Sequence, residues 1–118
     1  MRKTIYLIRH GETDYNKMGI VQGSGINSSL NDKGIRQARA FYDSYKNISF
    51  DNIYTSDLNR TKESVYPFIE NGHKAVSLIE LNEINWGEIE GKRPDSIIRK
   101  KFEDTMRLWS EGIYDVIV

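Results

Sequence analysis

Three short apolar runs alternate with stretches of helical spacing along the chain. Residues 3–8 form the first run, which is rich in β-branched, aliphatic and aromatic side chains and predicts a strand buried on both faces. Residues 50–55 predict a second strand. Residues 74–79, in which apolar and polar positions alternate, predict a third.

Apolar positions recur every three or four residues in three other stretches, each of which begins near a capping residue or a proline. The predicted helices run from Asn31 or Asp32 to about Lys46, from Ser56 or Asp57 to Asn71-Gly72, and from Pro94 to Trp109. The Gly-, Asn- and Ser-rich residues 11–31 predict a long loop, and loops of that length inside compact domains are usually functional. Residues 80–92 predict another loop.

The alternation of strands and helices predicts right-handed crossovers onto a parallel sheet. We therefore expect an α/β fold of three layers, in which helices flank a mostly parallel sheet. At 118 residues the chain suits one domain, residues 1–118, and it contains no repeat or linker that would divide it.

The composition argues against several classes of function. Seventeen Lys and Arg balance seventeen Asp and Glu, so no net field would attract nucleic acid or an acidic membrane. The absence of cysteine excludes disulfides and thiolate metal sites, and the two histidines are too few for a histidine-rich zinc site. The apolar run at the N-terminus is too short for a signal peptide or a membrane span, so we expect a soluble cytoplasmic protein.

Arg9, His10 and Gly11 directly follow the first predicted strand, at the end where open parallel sheets bind ligands. The arginine fork matches phosphate oxygens, and glycine permits a close approach to the backbone. An imidazole whose other ring nitrogen is held by an acceptor is a nucleophile near neutral pH. Together the three residues favour phosphoryl capture, whereas alone such a triplet more often caps a turn.

Charged residues also follow the other two predicted strands. The segment "YTSDLNRTKES" places Arg60 in the first turn of a helix, whose free N–H groups favour anions. The segment "LNEINWGEIEG" contains Glu83, Glu88 and Glu90, and a carboxylic acid there would be able to protonate a leaving oxygen. Its position after the strand favours Glu83. Taken singly, each segment is more often an exposed helix arginine or a solvated loop carboxylate.

Five blocks in this order resemble the N-terminal half of the histidine phosphatase superfamily, which includes the phosphoglycerate mutases and related broad-specificity phosphatases. The blocks are "RHGETDYN", Gln22-Gly23, "SLNDKGIRQA", "TSDLNRTKES" and "LNEINWGEIEG". The resemblance extends from residue 2 to about residue 109. The first block alone is a weak signal, but the ordered set is a strong one.

The resemblance implies a catalytic role for four of these residues. His10 would be the nucleophile and would take the phosphoryl group on Nε2. Glu83 would protonate the leaving group and later activate water. Arg9 and Arg60 would clamp the phosphate oxygens, so that neither a metal nor a cofactor is required. The implied partner is a small phosphorylated substrate.

The resemblance also implies substrate contacts for Asn16, Gln22 and Gly23. The segment "ETDYNKMGIVQG" is more similar to the phosphatases than to the mutases, which favours water as the acceptor and leaves phosphoglycerate mutase as the alternative. One departure is "QGSGINSSL", which is a residue longer than we expect and has Asn27 where Asp is common.

One part of the family pattern is missing, namely a second histidine in a Ser-His-Gly-like segment on a later strand. His73 precedes Glu83 and lies in a predicted surface loop, so it cannot supply that group. The apolar ending "EGIYDVIV" predicts a truncated, incomplete domain, and a catalytically impaired remnant is therefore a further alternative. An exposed sheet edge in such a piece would favour self-association.

Overall fold

Four helices and two short parallel strands form the regular structure of residues 2–114, the part of the chain that the computed structural model describes. They are α1 (Asp14–Met18), α2 (Asp32–Tyr45), β1 (Ile53–Thr55), α3 (Asn59–Glu70), β2 (Ala75–Ser77) and α4 (Ser96–Ser110). Two single 3₁₀ turns, Ile79–Leu81 and Gly87–Ile89, lie between β2 and α4. None of the helices in this part of the chain is long and apolar enough to cross a membrane.

Strands β1 and β2 pair in parallel, with Ile53 opposite Ala75 and Thr55 opposite Ser77. Helix α3 connects them, and α2 packs against α3. The predicted α/β class with a parallel sheet and flanking helices is therefore confirmed.

The three predicted helices are confirmed, but two of their starting points are wrong. Helix α2 begins as predicted, because the Asn31 side chain accepts the Gly34 N–H at 2.9 Å. Helix α3 begins after Leu58, which has no side-chain cap, rather than at Ser56 or Asp57.

The start of α4 also differs from the prediction. Asp95 caps this helix by accepting the Ile98 N–H at 2.8 Å. Pro94 therefore lies before the cap and not in the first turn. Asp95, which follows Pro94, occupies the capping position instead. Its side chain satisfies one of the N–H groups that have no partner within the first turn of a helix.

Residues 3–8, predicted to be a buried strand, form no strand. The side chains of Ile5 and Leu7 are 86% and 94% exposed, whereas Tyr6 packs edge-on against Tyr45 and Phe50. A strand requires a hydrogen-bonded neighbour, and within residues 2–114 no segment bonds to the backbone of residues 3–8. One face of this segment is therefore partly covered, with Tyr6 45% exposed, and the other is bare.

The predicted loop over residues 11–31 contains a short helix, α1, which the sequence analysis missed. Thr13 caps it by accepting the Asn16 N–H at 3.2 Å, and the Asn16 side chain accepts the Thr13 N–H at 3.0 Å in return. Gly19, with φ of 69°, ends the helix in a left-handed conformation that favours glycine. This reciprocal capping stabilises a helix of only five residues.

The most deeply buried apolar side chain near the sheet is Phe68 of α3, which is 1% exposed. Its ring contacts those of Phe41, Tyr42 and Phe50 and the imidazole of His73. Aromatic pairs of this kind stabilise a core beyond the area they bury. This cluster holds α3 against α2, so it fixes the helix on which Arg60 lies.

We expect Phe68→Ala to lower the free energy of unfolding by about 3–5 kcal/mol, because it removes a buried ring and leaves a cavity. Urea unfolding followed by circular dichroism measures this change. Tyr66→Ala is the matched control, since Tyr66 lies on the same helix but is exposed, and it should change stability by no more than about 0.5 kcal/mol. Equal losses in the two variants would contradict the assignment of Phe68 to the core.

Candidate active site

The imidazole of His10 is half-buried and lies 2.6 Å from the Gly11 carbonyl oxygen through its Nδ1 atom. A carbonyl oxygen only accepts hydrogen bonds, so Nδ1 must carry the proton. In the neutral ring Nε2 then holds the lone pair. This is the tautomer that a nucleophilic imidazole requires.

Several groups shift the pKa of His10, and the net direction is downward from 6.5. Desolvation by burial is the largest cause and lowers the pKa, while the bond to the Gly11 carbonyl raises it. The cations of Arg60 and Arg9 lower the pKa further, and the charge of Glu83 raises it. His10 is therefore neutral near pH 7, and the three charged side chains lie within electrostatic range of its ring.

The backbone beside His10 is attached to α3. The Gly11 N–H donates to Ser64 Oγ at 2.8 Å, and this hydroxyl donates to the Arg60 carbonyl at 2.6 Å. Gly11 also lies close to α2, since a Cβ at this position would be 2.7 Å from the Gly34 carbonyl oxygen. Gly11 therefore makes a close approach to the backbone of α2, and its approach to a ligand stays a prediction.

Arg60 is a fully buried cation, with 0% of its side chain exposed. Its Nη1 donates to the Ile26 carbonyl at 2.6 Å, and its Nη2 donates to the Gly23 carbonyl at 3.1 Å and to Glu83 Oε2 at 3.0 Å. A buried charge is strongly destabilising unless it is paired and hydrogen-bonded. The Nε–H is the one polar group of this guanidinium that has no partner within residues 2–114.

The carboxylate of Glu83 connects the loop after β2 to Arg60 and is 42% exposed on its open side. The preceding residue, Asn82, accepts the Asp57 N–H at 2.8 Å through its side chain. This bond holds the loop against the start of α3. The structure therefore places the predicted proton donor in contact with one of the predicted phosphate-binding arginines.

Arg9 is exposed and borders a cavity of about 240 Å³ beside the imidazole. The lining of this cavity includes His10, Gln37 and Phe41, but neither Arg60 nor Glu83. Arg9 thus lines this cavity with His10, whereas Arg60 does not. Both act on its charge state.

The three predicted substrate-contacting residues lie in internal networks. Gln22 is 6% exposed, donates to Thr13 Oγ1 at 2.8 Å and accepts from Ser28 Oγ at 2.7 Å. The Asn16 side-chain oxygen is used in the cap of α1. Gly23 holds Arg60 through its carbonyl. Each of the three therefore forms a hydrogen bond within the protein that holds another residue in place: Gln22 and Asn16 bond to Thr13, and Gly23 bonds to Arg60.

Asn27, which stands where Asp is common in the family, forms a hydrogen bond to the start of α3. Its side-chain oxygen accepts the Asn59 N–H at 2.7 Å, at the start of α3. Asn27 therefore supplies from a distant loop the cap that Leu58 cannot provide, which explains why the local capping prediction for this helix was wrong.

The second histidine of the chain, His73, lies outside this site. Its Nδ1 donates to the Phe68 carbonyl at 3.2 Å, and its ring packs against the Phe68 ring. Among the described residues no group of acidic or histidine side chains has the arrangement of a metal site.

Two residues that the sequence analysis did not single out hold the site together. Ser64 joins the backbone beside His10 to α3, and it lies four residues after Arg60 on the same helix. Glu90 accepts N–H groups from two loops at once. The helical spacing from Arg60 was a signal for Ser64, whereas no local pattern separated Glu90 from Glu88.

A family model of the histidine phosphatase superfamily (branch 1) matches residues 5–116. The chain belongs to this superfamily. Its members among the curated relatives include phosphatases and phosphoglycerate mutases, so the family resemblance predicted from the sequence is confirmed.

Two curated relatives and one solved structure illustrate the range of this similarity. The chain is 36% identical to fructose-2,6-bisphosphatase TIGAR of Bos taurus over 103 residues, which cover 83% of this chain and 38% of the bovine protein. It is 30% identical to the 2,3-bisphosphoglycerate-dependent phosphoglycerate mutase of Allorhizobium ampelinum, over 98% of this chain and 57% of the mutase. The alpha-ribazole phosphatase structure from Shigella flexneri aligns with a TM-score of 0.72 and 25% identity, over 93% of this chain and 54% of that one. This histidine phosphatase chain therefore spans between about a third and a little over half of the relatives that it matches.

We expect the His10 ring to titrate below 6.5 in an NMR pH titration, and Arg9→Gln to raise its pKa, because removing a nearby cation stabilises the imidazolium. Since the folded state favours the neutral ring, the free energy of unfolding should fall as the pH drops below about 6.5, the value for an unfolded histidine. Lys46→Gln, which removes an exposed cation just after α2, is the control and should leave the titration unchanged. A His10 midpoint above 6.5 would contradict the electrostatic description.

Proposed function

We propose that this chain carries the nucleophile, the proton donor and the phosphate-binding arginines of a phosphatase that acts on small phosphate esters. The observation that supports this most directly is the hydrogen bond from His10 Nδ1 to the Gly11 carbonyl. It leaves the Nε2 lone pair available, and the depressed pKa keeps the ring neutral. Nucleophilic imidazole chemistry needs both conditions.

In the first step, His10 Nε2 attacks the phosphorus atom of the ester and forms the P–N bond of a phosphohistidine. The P–O bond to the alcohol breaks, and the leaving oxygen takes a proton from the Glu83 carboxyl group. In the second step, the Glu83 carboxylate takes a proton from water as the oxygen attacks phosphorus. The P–N bond then breaks, which releases inorganic phosphate and restores His10.

The Glu83 carboxylate pairs with the buried Arg60 guanidinium and is 42% exposed, so the proposed proton donor is held by a cation and still reaches solvent. Arg60 and Arg9 place two cations within electrostatic range of the His10 ring. Placement and charge stabilisation of this kind supply most of the rate in phosphoryl transfer.

The substrate-contact roles of Asn16, Gln22 and Gly23 stay predictions. The internal hydrogen bonds of Gln22 favour an indirect role, in which it holds the Thr13 cap rather than the ligand. The Gly23 carbonyl, bonded to Arg60, favours an equally indirect one.

Phosphoglycerate mutase is the second candidate, because the mutase of Allorhizobium ampelinum aligns with 98% of this chain. The difference lies in the acceptor of the phosphoryl group. A phosphatase transfers it to water, whereas a mutase returns it to a phosphoglycerate. A third candidate is a catalytically impaired remnant, since the chain contains no histidine besides His10 and His73.

We expect incubation with a ³²P-labelled phosphate ester to place an acid-labile label on the chain, and His10→Asn to abolish it. Arg60→Lys and Glu83→Gln should each lower turnover by about 10²–10³, the usual cost of removing one stabilising donor from such a site. His73→Gln is the control and should label normally. Transfer of the label to phosphoglycerate rather than to water would favour the mutase. A wild-type chain that neither labels nor turns over would support the impaired remnant.

Self-association of the chain also stays a prediction. We expect it to use the surface formed by the exposed side chains of Ile5 and Leu7, because contact between two copies would bury them. Sedimentation velocity over a range of concentrations should show dimers or larger species, and Leu7→Lys should shift them toward the monomer. Ile97→Lys is the matched control, because Ile97 is an equally large exposed side chain on α4. A wild-type chain that stays monomeric throughout would contradict the prediction.

A further inference from the structure

The carboxylate of Glu90 joins two loops of the candidate site. Its Oε1 atom accepts the Gly25 N–H at 3.2 Å and the Trp86 N–H at 3.0 Å. Gly25 lies in the loop of residues 23–26, and Trp86 lies in the loop of residues 82–90. Glu90 is the last residue of this second loop, and its half-buried carboxylate bonds both within its own loop and to the first loop.

The fit between this carboxylate and the first loop is close. A Cβ at Gly23 would lie 2.2 Å from the Ile84 carbonyl oxygen and 2.4 Å from Glu90 Oε1, and a Cβ at Gly25 would lie 2.3 Å from Oε2. A side chain at Gly23 would therefore collide with the backbone of the other loop as well as with Glu90, whereas one at Gly25 would displace the carboxylate. Glu90 and the two glycines form one contact surface, although 65 residues of chain separate Gly25 from Glu90.

Each of the two joined loops supplies a group that holds the buried cation of the site. The loop of residues 23–26 provides the Gly23 and Ile26 carbonyl oxygens to which Arg60 donates. The loop of residues 82–90 provides the Glu83 carboxylate, which accepts a further hydrogen bond from Arg60 Nη2. One other bond joins the loops, from the Ser24 N–H to the Ile84 carbonyl at 3.1 Å.

We propose that Glu90 is a positioning residue for Arg60 and Glu83. By holding the two loops together, it sets the orientation of the guanidinium and of the carboxylate that pairs with it. The catalytic consequence rests on the proposed function, whereas the effect on Arg60 does not. Glu88 of the same loop differs in this respect, since it is exposed and pairs only with Lys101.

The first test observes Arg60 without reference to activity. In the wild-type chain labelled with [¹⁵N]arginine, the buried guanidinium should give slowly exchanging N–H signals, which Arg60→Lys assigns by removing them. Glu90→Ala should broaden or shift these signals. Glu90→Gln should keep them, because the amide oxygen accepts the same two N–H groups. Glu88→Ala is the matched control and should leave them unchanged.

The second test measures turnover of a phosphate ester by the same variants. Glu90→Ala should lower kcat about 10²-fold, the order of loss that a displacement of about 1 Å produces in a positioned site, with a smaller change in KM. Glu90→Gln should restore most of kcat. If Glu90→Ala does not fold, Gly25→Ala displaces the carboxylate while keeping Glu90, and it should alter the Arg60 signals in the same way.

The outcomes separate the two proposals. Arg60 signals that are unchanged in Glu90→Ala or Gly25→Ala would overturn the positioning role, whatever the activity. Signals that change in a chain whose wild type has no turnover would support the positioning role and count against the proposed function. A loss of kcat that Glu90→Gln does not rescue would also overturn the inference, since it would point to the charge of Glu90 rather than to its acceptor oxygen.

Discussion

The buried guanidinium of Arg60 is the constraint on which the arrangement of the site depends. A fully buried cation is tolerated only when acceptors surround it, and removing one partner of such a charge typically costs about 3–5 kcal/mol. Its acceptors come from Gly23, Ile26 and Glu83, which lie 37, 34 and 23 residues away along the chain. Two loops that are distant in sequence from this helix residue therefore supply the acceptors that its buried charge requires.

The same charge connects the architecture to the chemistry of His10. The cations of Arg60 and Arg9 disfavour the imidazolium, and burial disfavours it further, so the ring stays neutral. These cations would also attract a phosphate dianion. In the proposed mechanism, one electrostatic arrangement would thus serve two needs of phosphoryl transfer, an unprotonated nucleophile and a site for negative charge. The hydrogen bond to the Gly11 carbonyl selects which ring nitrogen is free.

The apolar surface of the chain is covered unevenly. Tyr6 is packed against the aromatic cluster around Phe68, whereas Ile5 and Leu7 on the alternate positions are bare. The aligned histidine phosphatases are longer, and this chain spans 38% of one and 57% of another. Ile5 and Leu7 are the two most exposed large apolar residues of residues 2–114. Among the predicted site residues, Glu83 pairs with Arg60, whereas Arg9 and His10 line a cavity that neither Arg60 nor Glu83 lines.

The sequence by itself predicts those features of the protein that depend on residues close to one another along the chain. Helical spacing and Asn31 defined α2, and the order of charged residues after each apolar run indicated Arg9, His10, Arg60 and Glu83. Tertiary structure decided the features that the sequence did not predict. They depend on hydrogen-bond partners and on burial, both of which come from residues distant in sequence. It left residues 3–8 unpaired, capped α3 with Asn27, and turned Gln22 inward. It also separated Glu90 from Glu88, since only the backbone N–H donors of the folded loops distinguish two carboxylates that look alike along the chain.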